Sequence, residues 1–565
     1  MRADVIRLYK TVHTWTGIVA GMALFIAFHA GALTVFKEPI SRWVAAPSPG
    51  AAAVPLEQAP QLIARTLAAH PAAARSFQIH LLETEHVPAR MGWTERPEGG
   101  DDHDRSQDRH YLATLQADGV PLIEETKQSR VAEFIDVLHR VVGLPFDNDP
   151  SRWVMGVISA LYAVALVSGV IVLLPTLVKD FFALRLGRNL KRMWLDAHNV
   201  IGIVSLPFHV IMALSAAVFA FHDGIYAVQD TVLYQGQWER LWNRTPPKGP
   251  PPPPRDVSTL LPPAELVARV QALSPTLVPV ALDYVQPTTP RAAVRVWVRD
   301  ATTVQRSANG GFALLDPYTG QVRSTEYLPG RQTAADATIV SFFSLHFATF
   351  GGSPVQWMYF LLGLAGAFLF YSGNLLWVES RRKADRGRGA PAVQKRSTFL
   401  MAAATVGVCV GCVAGISATL VAGKWLHGRV DDLQAWHMGV YYAVFLAAVA
   451  WAFARGAARA APVLLWVAAL CTAAIPLSTL VGWLLPGAGP WAHGSAAALG
   501  VDAVALAGAL GLAWMARATA RRVRQGPADS VWSLSAARGA PPAATAEPEA
   551  GTAAMARGAA ADGAR

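Results

Sequence analysis

Long runs of apolar residues, separated by polar segments, dominate the hydrophobic pattern of the chain. Eight runs have about 20 residues each, enough for a helix to cross the roughly 30 Å hydrocarbon core of a bilayer. They lie at about 15–36, 153–176, 199–221, 355–378, 398–422, 435–454, 462–485 and 493–515. The pattern predicts a mainly α membrane protein, a multi-span helical bundle of about eight transmembrane helices.

Two long polar segments, 37–152 and 222–352, interrupt the apolar runs. The first contains the helical pattern "PLEQAPQLIARTLAAH", followed by the alternating stretches "SFQIHLLE" and "RHYLATLQADG". The second contains "PPAELVARVQALSP", followed by "VPVALDYVQP", "AAVRVWVRD" and "FALLDPYTGQV". A helical pattern followed by strands of period two predicts one small α+β module in each segment.

The order of these segments indicates a duplication of a span, an outer module, a second span and a basic loop. Four further spans follow. The predicted organisation is transmembrane helix 1 (1–36), the first module (37–152), helices 2 and 3 with a basic loop (153–221), the second module (222–352), helix 4 (353–380), a basic loop (381–397), an appended four-helix region (398–516) and a disordered tail (517–565).

Charge and cysteine content narrow the class of protein. The net charge is +10, but the basic residues cluster in the loops after the even-numbered spans, on one side of the predicted membrane. This distribution favours a positive-inside topology with both termini cytoplasmic, and it argues against nucleic-acid binding. The three cysteines lie inside predicted spans, so no disulfide framework is expected.

Four histidines occupy equivalent places in the two repeats. His13 and His198 open the first and third spans on the cytoplasmic side, and each is followed by a glycine four residues later. His139 and His346 lie shortly before the second and fourth spans, on the outer side. Two imidazoles from facing helices can hold one haem iron through its two axial positions, and a nearby glycine leaves room for a flat macrocycle. We therefore expect one histidine pair near each membrane face.

Two further histidines leave the ligands of the outer haem open. His29 follows His13 by ~24 Å along a helix and ~160° around it, whereas His209 follows His198 by ~16 Å and only ~20°. A competing scheme therefore uses His29 with His209 or His346 at the outer haem. His437 and His493, in the appended region, could form another outer pair, although a hydrogen-bonded or interfacial role is favoured for both.

Several motifs resemble those of the PepSY-associated transmembrane helix family, also described as iron-regulated membrane proteins. The motifs are "LYKTVHTWTGIVAGMALFIAFHAGALTVF" (8–36), "LHRVVG" (138–143), "SGVIVLLP" (168–175), "WLDAHNVIGIV" (194–204), "LDPYTGQV" (315–322) and "SLHFATFGG" with "SGNLLWVE" (344–379). The resemblance covers about residues 5–380 and implies that both outer modules are PepSY-like and periplasmic. Where the family often has Ser or Thr before the glycine of the first helix, this chain has His29, Ala30 and Gly31.

The resemblance also implies a location in the bacterial inner membrane and a function. The best-understood members are di-haem reductases of ferric siderophores, and His13, His139, His198 and His346 fall on the family's recurrent histidine positions. The expected cofactors are two haem b groups, the expected acceptor is a ferric siderophore or another periplasmic molecule, and the donor is a quinol or a separate flavoprotein. Two other functions remain open, a membrane anchor whose modules bind a periplasmic protein and a metal or proton transporter.

Overall fold

The computed structural model describes residues 2–47, 54–96, 108–178, 190–237, 253–384, 394–527 and 530–534. Its long helices are α1 (Ala3–Thr34), α5 (Asp149–Leu173), α6 (Leu190–Val204), α7 (Leu206–Ala220), α11 (Gly352–Ala384), α12 (Arg396–Trp425), α13 (Leu433–Arg455), α14 (Ala457–Leu484) and α15 (Ala496–Gln525). The shorter ones are α2 (Lys37–Val44), α3 (Ala59–Ala69), α4 (Val131–Arg140), α8 (His222–Gln229), α9 (Pro263–Gln271) and α10 (Ala334–Phe347).

Seven of the described helices are long and apolar enough to cross a membrane, and the pair α6–α7 adds an eighth crossing. The predicted class, a multi-span helical protein of about eight spans, is therefore confirmed. Because successive spans cross in opposite directions and their number is even, the start of α1 and the end of α15 lie on the same face. We call this the opposite face, and the face that carries the β-sheet the sheet face.

The third span is not one straight helix. Helices α6 and α7 are bent by 70° at Ser205. Pro207 stands in the first turn of α7. It has no N–H to donate to the carbonyl oxygen of Ile203, and in a continuous helix its ring would clash with that oxygen. The expectation that His198 and His209 share a helix face assumed an unbroken helix, so it fails at this bend.

The histidine-bearing core consists of α1, α5, α6–α7 and α11. Helix α1 packs between α5 and α11, α5 packs on α7, and α6 packs on α11. Each repeat therefore contacts the other through its first helix. Small residues allow the close approach of α1 and α11, since a Cβ on Gly363 would lie 2.9 Å from Cβ of Ala32.

The strands of the two outer segments form one antiparallel sheet of eight strands. The first segment supplies β1 (Ser76–His80), β2 (Met91–Glu95), β3 (Arg109–Leu115) and β4 (Pro121–Thr126), and the second supplies β5 (Val278–Val285), β6 (Ala293–Arg299), β7 (Gly311–Leu315) and β8 (Val322–Ser324). Their order is β4-β3-β2-β1-β5-β6-β7-β8. The sequence predicts a separate module in each segment; pairing of β1 with β5, with Phe77 opposite Tyr284, joins them.

One face of this sheet is covered by α3 and α9. Inward-facing residues of β1, β5 and β6 alternate with exposed ones and pack against Leu62 of α3 and Leu266 of α9, which are fully buried. At the centre, the rings of Phe77 and Tyr284 stack with centroids 4.7 Å apart. Equivalent parts of the two segments thus share one hydrophobic core.

Helices α12–α15 pack against the rest of the protein through residues at the sheet face. Trp43 of α2 is almost fully buried; its Nε1 donates to Asp502 of α15 at 2.8 Å, and Lys424 Nζ lies 3.8 Å from its ring centroid. The hydroxyl of Tyr442 donates to the carbonyl oxygen of Gly143 at 2.8 Å. The region predicted as an appendage is therefore docked on the membrane core and the elements that support the sheet.

The predicted disordered tail (517–565) begins inside an ordered helix, because α15 continues to Gln525. Residues 530–534 are also ordered, since Val531 and Trp532 pack against α11, α12 and α14, and the N–H of Leu534 donates to the carbonyl oxygen of Val523. That part of the prediction is wrong because these apolar side chains find a surface to cover. Residues 535–565 and most of both predicted basic loops lie outside the described residues.

A candidate bis-histidine centre at each membrane face

The four histidines singled out by the repeat form two pairs. His13 of α1 and His198 of α6 have ring centroids 6.3 Å apart, with 75° between the ring planes. His139 of α4 and His346 of α10 have centroids 6.1 Å apart, with 39° between the planes. The first pair lies toward the opposite face and the second toward the sheet face.

The separation within each pair matches coordination of one metal from two sides. Imidazole nitrogen binds a metal ion at about 2 Å, so two rings on opposite sides of one metal have centroids about 6 Å apart. The observed centroid distances are 6.3 and 6.1 Å. Both gaps therefore have the width expected if one metal, such as a haem iron, were held between the two rings.

In the opposite-face pair, each ring is fixed by its Nδ1 atom. His13 Nδ1 donates to the carbonyl oxygen of Ala165 on α5 at 2.8 Å. His198 Nδ1 lies 3.1 Å from Ser372 Oγ on α11, and this hydroxyl donates its own hydrogen to the carbonyl oxygen of Leu369. The serine oxygen must then accept from His198, which places the proton of both imidazoles on Nδ1.

The sheet-face pair repeats this arrangement. His139 Nδ1 donates to the carbonyl oxygen of Ala27 on α1 at 2.8 Å. His346 Nδ1 lies 2.6 Å from Ser215 Oγ on α7, which in turn donates to the carbonyl oxygen of Ile211. In all four histidines the Nδ1 contact leaves Nε2 as the nitrogen with a free lone pair. A hydrogen bond of this kind on the remote nitrogen is what orients a metal-binding histidine.

Both sheet-face histidines lie in the last turn of a short helix that ends in the same way. The N–H of Gly143 donates to the carbonyl oxygen of Leu138 after α4, and the N–H of Thr349 donates to that of Ser344 after α10. In each case the residue before the donor is left-handed, Val142 with φ 50° and Ala348 with φ 55°, and it terminates the helix. The repeated helix end holds His139 against α1 and His346 against α7.

An ion-paired cluster holds α4, and with it His139, against α2. Lys37 Nζ donates to Asp136 Oδ2 at 2.9 Å and also contacts Glu133. Arg140 binds the other oxygen of Glu133 at 2.7 Å and Asp147 at 2.7 Å. Although burial favours the neutral amine, the two carboxylates raise the pKa of Lys37.

Glycines contact the histidine rings, but they are not the ones expected from the sequence. A Cβ on Gly169 would lie 2.9 Å from His13 Cε1, and a Cβ on Gly31 would lie 2.7 Å from His139 Nδ1. Gly17 faces open space, and Gly202 approaches only the side chain of Leu369. Gly31, noted in the sequence for its unusual neighbours, is therefore required by the close approach of His139 to α1.

An aromatic cluster lies between the two pairs. Phe28, which follows the His139 partner Ala27, has ring centroids 5.7 Å from Tyr162 and 5.1 Å from Phe370. Tyr162 and Phe370 are within one turn of the residues that anchor His13 and His198. His13 and Ala27 are 14 residues apart, so the two pairs are separated by ~21 Å along α1. Sequence reasoning missed this cluster because aromatic residues in apolar helices are ordinary.

His209 belongs to this aromatic cluster and to neither pair. His209 Nδ1 lies 2.6 Å from the hydroxyl oxygen of Tyr162, which also donates to the carbonyl oxygen of His209 at 3.2 Å, and the ring of Phe28 lies 5.6 Å away. Its Nε2 is buried and has no hydrogen-bond partner among the described residues. His209 therefore occupies the space between the two pairs.

His29 also stands apart from the pairs. It lies on the side of α1 away from His139, with its ring stacked on Phe25 at 6.0 Å, and it lines a cleft toward α12–α15. His437 and His493 do not pair with each other. His437 Nε2 bonds Ser129 Oγ at 3.1 Å, and His493 Nε2 donates to the carbonyl oxygen of Ala45 at 2.7 Å.

Among the described residues, no cluster of three or more His, Cys, Asp or Glu side chains could hold a bare metal ion. The acidic loop at 99–110 lies mostly outside the described residues. Paired histidines are thus the metal-binding arrangement that the described part of the chain offers, and two protein ligands per metal suit a metal whose other ligands come from a macrocycle.

Comparison with known proteins gives one family. No curated protein matches the chain. The family model described as the PepSY-associated TM region matches residues 10–380, which include both histidine pairs, both outer segments and the whole sheet. The chain therefore belongs to the PepSY-associated TM region family.

Proposed function

We propose that this membrane protein carries two haem b groups, conducts electrons between them and reduces ferric siderophores on the sheet side, so that Fe(II) is released for uptake. The observation that carries the proposal is the geometry of the two histidine pairs, with centroids 6.3 and 6.1 Å apart and all four Nδ1 atoms anchored. His13 with His198 would hold one haem, and His139 with His346 the other.

A haem held by two of these histidines would supply reversible one-electron transfer rather than oxygen binding. The chain's own residues prepare for this chemistry. Ala165, Ser372, Ala27 and Ser215 keep each Nδ1 protonated and each ring in place. Phe28, Tyr162 and Phe370 fill the space between the pairs with packed rings and exclude water from it.

We infer the direction of electron transfer from the distribution of basic residues between the two faces. Described basic residues such as Lys191, Arg382, Arg455 and Arg517 lie at the opposite face, as expected of a cytoplasmic side. We place the protein in the bacterial inner membrane, with both termini cytoplasmic and the sheet in the periplasm. No nucleotide-binding fingerprint occurs in the cytoplasmic loops, so the donor is a quinol or a separate flavoprotein.

The acceptor chemistry suits the sheet side. Siderophores hold Fe(III) through hard oxygen ligands, and one electron from the protein produces Fe(II), which such ligands bind less tightly. The His139–His346 pair lies toward this face, so a chelate bound beneath the sheet would be close to the second haem.

The first test is the absorption spectrum of the full-length protein purified in detergent from haem-replete cells. We expect a Soret band and α-band that respond to dithionite, with two haems per chain. Chemically reduced protein should then release ferrous iron, trapped by a ferrous-specific chelator, from a panel of ferric siderophores. Colourless protein would contradict the proposal and favour a membrane anchor or a transporter, while coloured protein that reduces no chelate would limit it to electron transfer.

A further inference from the structure

A long cleft separates the core helices α1 and α11 from α12, α14 and α15. Its volume is about 1330 Å³, larger than typical small-ligand pockets of roughly 300–1,000 Å³. It begins near Gln305 and Trp357 at the sheet face and ends near Arg522 and Trp532 at the opposite face. Along α15, the lining extends from Ala496 to Val523, which corresponds to ~40 Å of helix.

The lining of this cleft is mostly aliphatic and aromatic, as expected of a space within a bilayer. Val413, Leu465 and Leu512 represent the long apolar part. The polar pair Ser417 and Thr472 is already satisfied, since their hydroxyl oxygens are 2.9 Å apart. An occupant of most of the cleft must therefore be a long hydrocarbon chain.

His29 is the exception in this lining. Its ring is stacked on Phe25, is partly exposed into the cleft and has no hydrogen-bond partner among the described residues. A polar side chain without a partner at membrane depth is costly, and such residues are usually functional. A plain acyl chain would leave this cost in place, whereas a hydroxyl or carbonyl group opposite the imidazole would remove it.

The position of His29 on α1 relates the cleft to the sheet-face pair. His29 is two residues from both Ala27, which accepts the hydrogen bond of His139, and Gly31, which contacts the ring of His139. These two residues lie on the other side of α1. A group bound at His29 is therefore separated from His139 by one helix diameter, about 10 Å.

We propose that this cleft binds a lipid-soluble quinone or quinol, with its ring hydrogen-bonded to His29 and its isoprenoid tail lying along α12, α14 and α15. The inference goes beyond the proposed function, since a site at His29 lies beside the sheet-face pair and not where electrons would enter from the opposite face. Binding itself requires only the cleft and His29.

The test measures quinone in the full-length protein purified in a mild detergent. Solvent extraction and mass spectrometry should find close to one quinone per chain, enriched over its ratio to phospholipid in the membrane. His29→Leu should reduce the retained quinone about tenfold, the loss expected for one hydrogen bond of roughly 1.4 kcal/mol. His29→Gln, which keeps a hydrogen-bonding group, should retain most of it.

His427→Leu serves as the matched control, because this histidine lies beside Trp491 outside the cleft. Retention of quinone by His29→Leu, or recovery of phospholipid alone from the native protein, would overturn the inference. Loss of haem in His29→Leu would also overturn it, since His29 would then be a ligand. Colourless protein that binds quinone contradicts only the proposed function, and haem-bearing protein without quinone contradicts only this inference.

Discussion

The core (α1, α5, α6–α7 and α11) and the region α12–α15 each contain four membrane crossings, but they use buried histidines in different ways. In the core, His13, His139, His198 and His346 are anchored through Nδ1, and their rings lie in two pairs with centroids 6.3 and 6.1 Å apart. In the region α12–α15, by contrast, Nε2 of His437 and of His493 is already hydrogen-bonded to the protein.

All six residues are histidines, so their hydrogen bonds and ring neighbours, and not the residue type, distinguish a binding role from a structural one. The protein contacts of His437 and His493 tie α13 and the segment before α15 to Ser129 and Ala45, near the sheet. Similar pairings satisfy other polar groups there, such as Trp425 Nε1 with Ser478 at 2.8 Å. Region α12–α15 is therefore cross-linked internally and to the sheet face, whereas the core histidines lie opposite one another in two pairs.

The largest effect is expected when histidines are substituted in both regions. If the pairs hold haem as proposed, His13→Ala or His198→Ala should remove about half of the haem and leave the sheet-face centre, because the opposite-face site would lose one of its two histidine ligands. His139→Ala or His346→Ala should do the reverse. The haem-to-protein ratio and the α-band position measure both effects.

His437→Ala is the control for these substitutions and should leave the haem content unchanged. If any of the four core variants kept the full haem ratio, the pairing derived from the ring geometry would be wrong. Loss of haem from His437→Ala would instead show that region α12–α15 contributes a ligand, and the contrast between the regions would disappear.

The repeat in the sequence predicted one histidine pair near each face, because equivalent positions in a duplicated bundle meet near its axis, but it left His29 and His209 open as alternatives at the outer pair. The groups that anchor the rings could not be predicted in this way. Ala165 accepts from His13 across 152 positions, and it does so through a backbone oxygen that any residue carries. Ser372 and Ser215 are ordinary small residues of apolar helices, and nothing in their local pattern marks them.

The sheet and the region α12–α15 show the same limit of sequence reasoning. Alternating residues predicted strands in both outer segments, but the pairing of Ser76 with Val285 joins strands about two hundred residues apart, for which there is no local signal. Similarly, Trp43 lies in a short amphipathic helix, and only the folded chain shows that it fills a site between Lys424 and Asp502. Only such long-range contacts determine how the two outer segments pair and where Trp43 is buried.

A smaller effect is expected from the hydroxyls that orient the rings. Ser372→Ala should shift the reduction potential of the opposite-face haem alone, and Ser215→Ala that of the sheet-face haem alone, because each removes the acceptor of one Nδ1–H. Loss of such a partner typically weakens metal affinity about 10–100-fold. Potentiometric titration followed at the α-band resolves the two centres.

Ser417→Ala in α12 is the matched control, since its hydroxyl bonds Thr472 and contacts no histidine. It should leave both potentials unchanged, and Ser372→Thr should restore the native value at the opposite face. Equal shifts of both centres in either core variant would mean that the serines act on the bundle as a whole rather than through one ring each.

The smallest effect concerns the junction between the sheet and region α12–α15, where Glu85 bonds Arg42 at 2.6 Å and also Ser495, before α15. Burial favours the neutral acid, but these hydrogen bonds outweigh it and lower the pKa of Glu85 to about 2. The pKa of an unfolded glutamate is about 4.3. The carboxylate of Glu85 therefore stabilises the folded protein above that pH, and this stabilisation is lost as the pH falls toward 2. The thermal midpoints of the native protein and of Glu85→Gln should therefore differ at pH 6 and converge as the pH falls below 4, while exposed Glu326→Gln follows the native curve. A constant difference between Glu85→Gln and the native protein over this range would mean that the carboxylate charge does not hold the junction together.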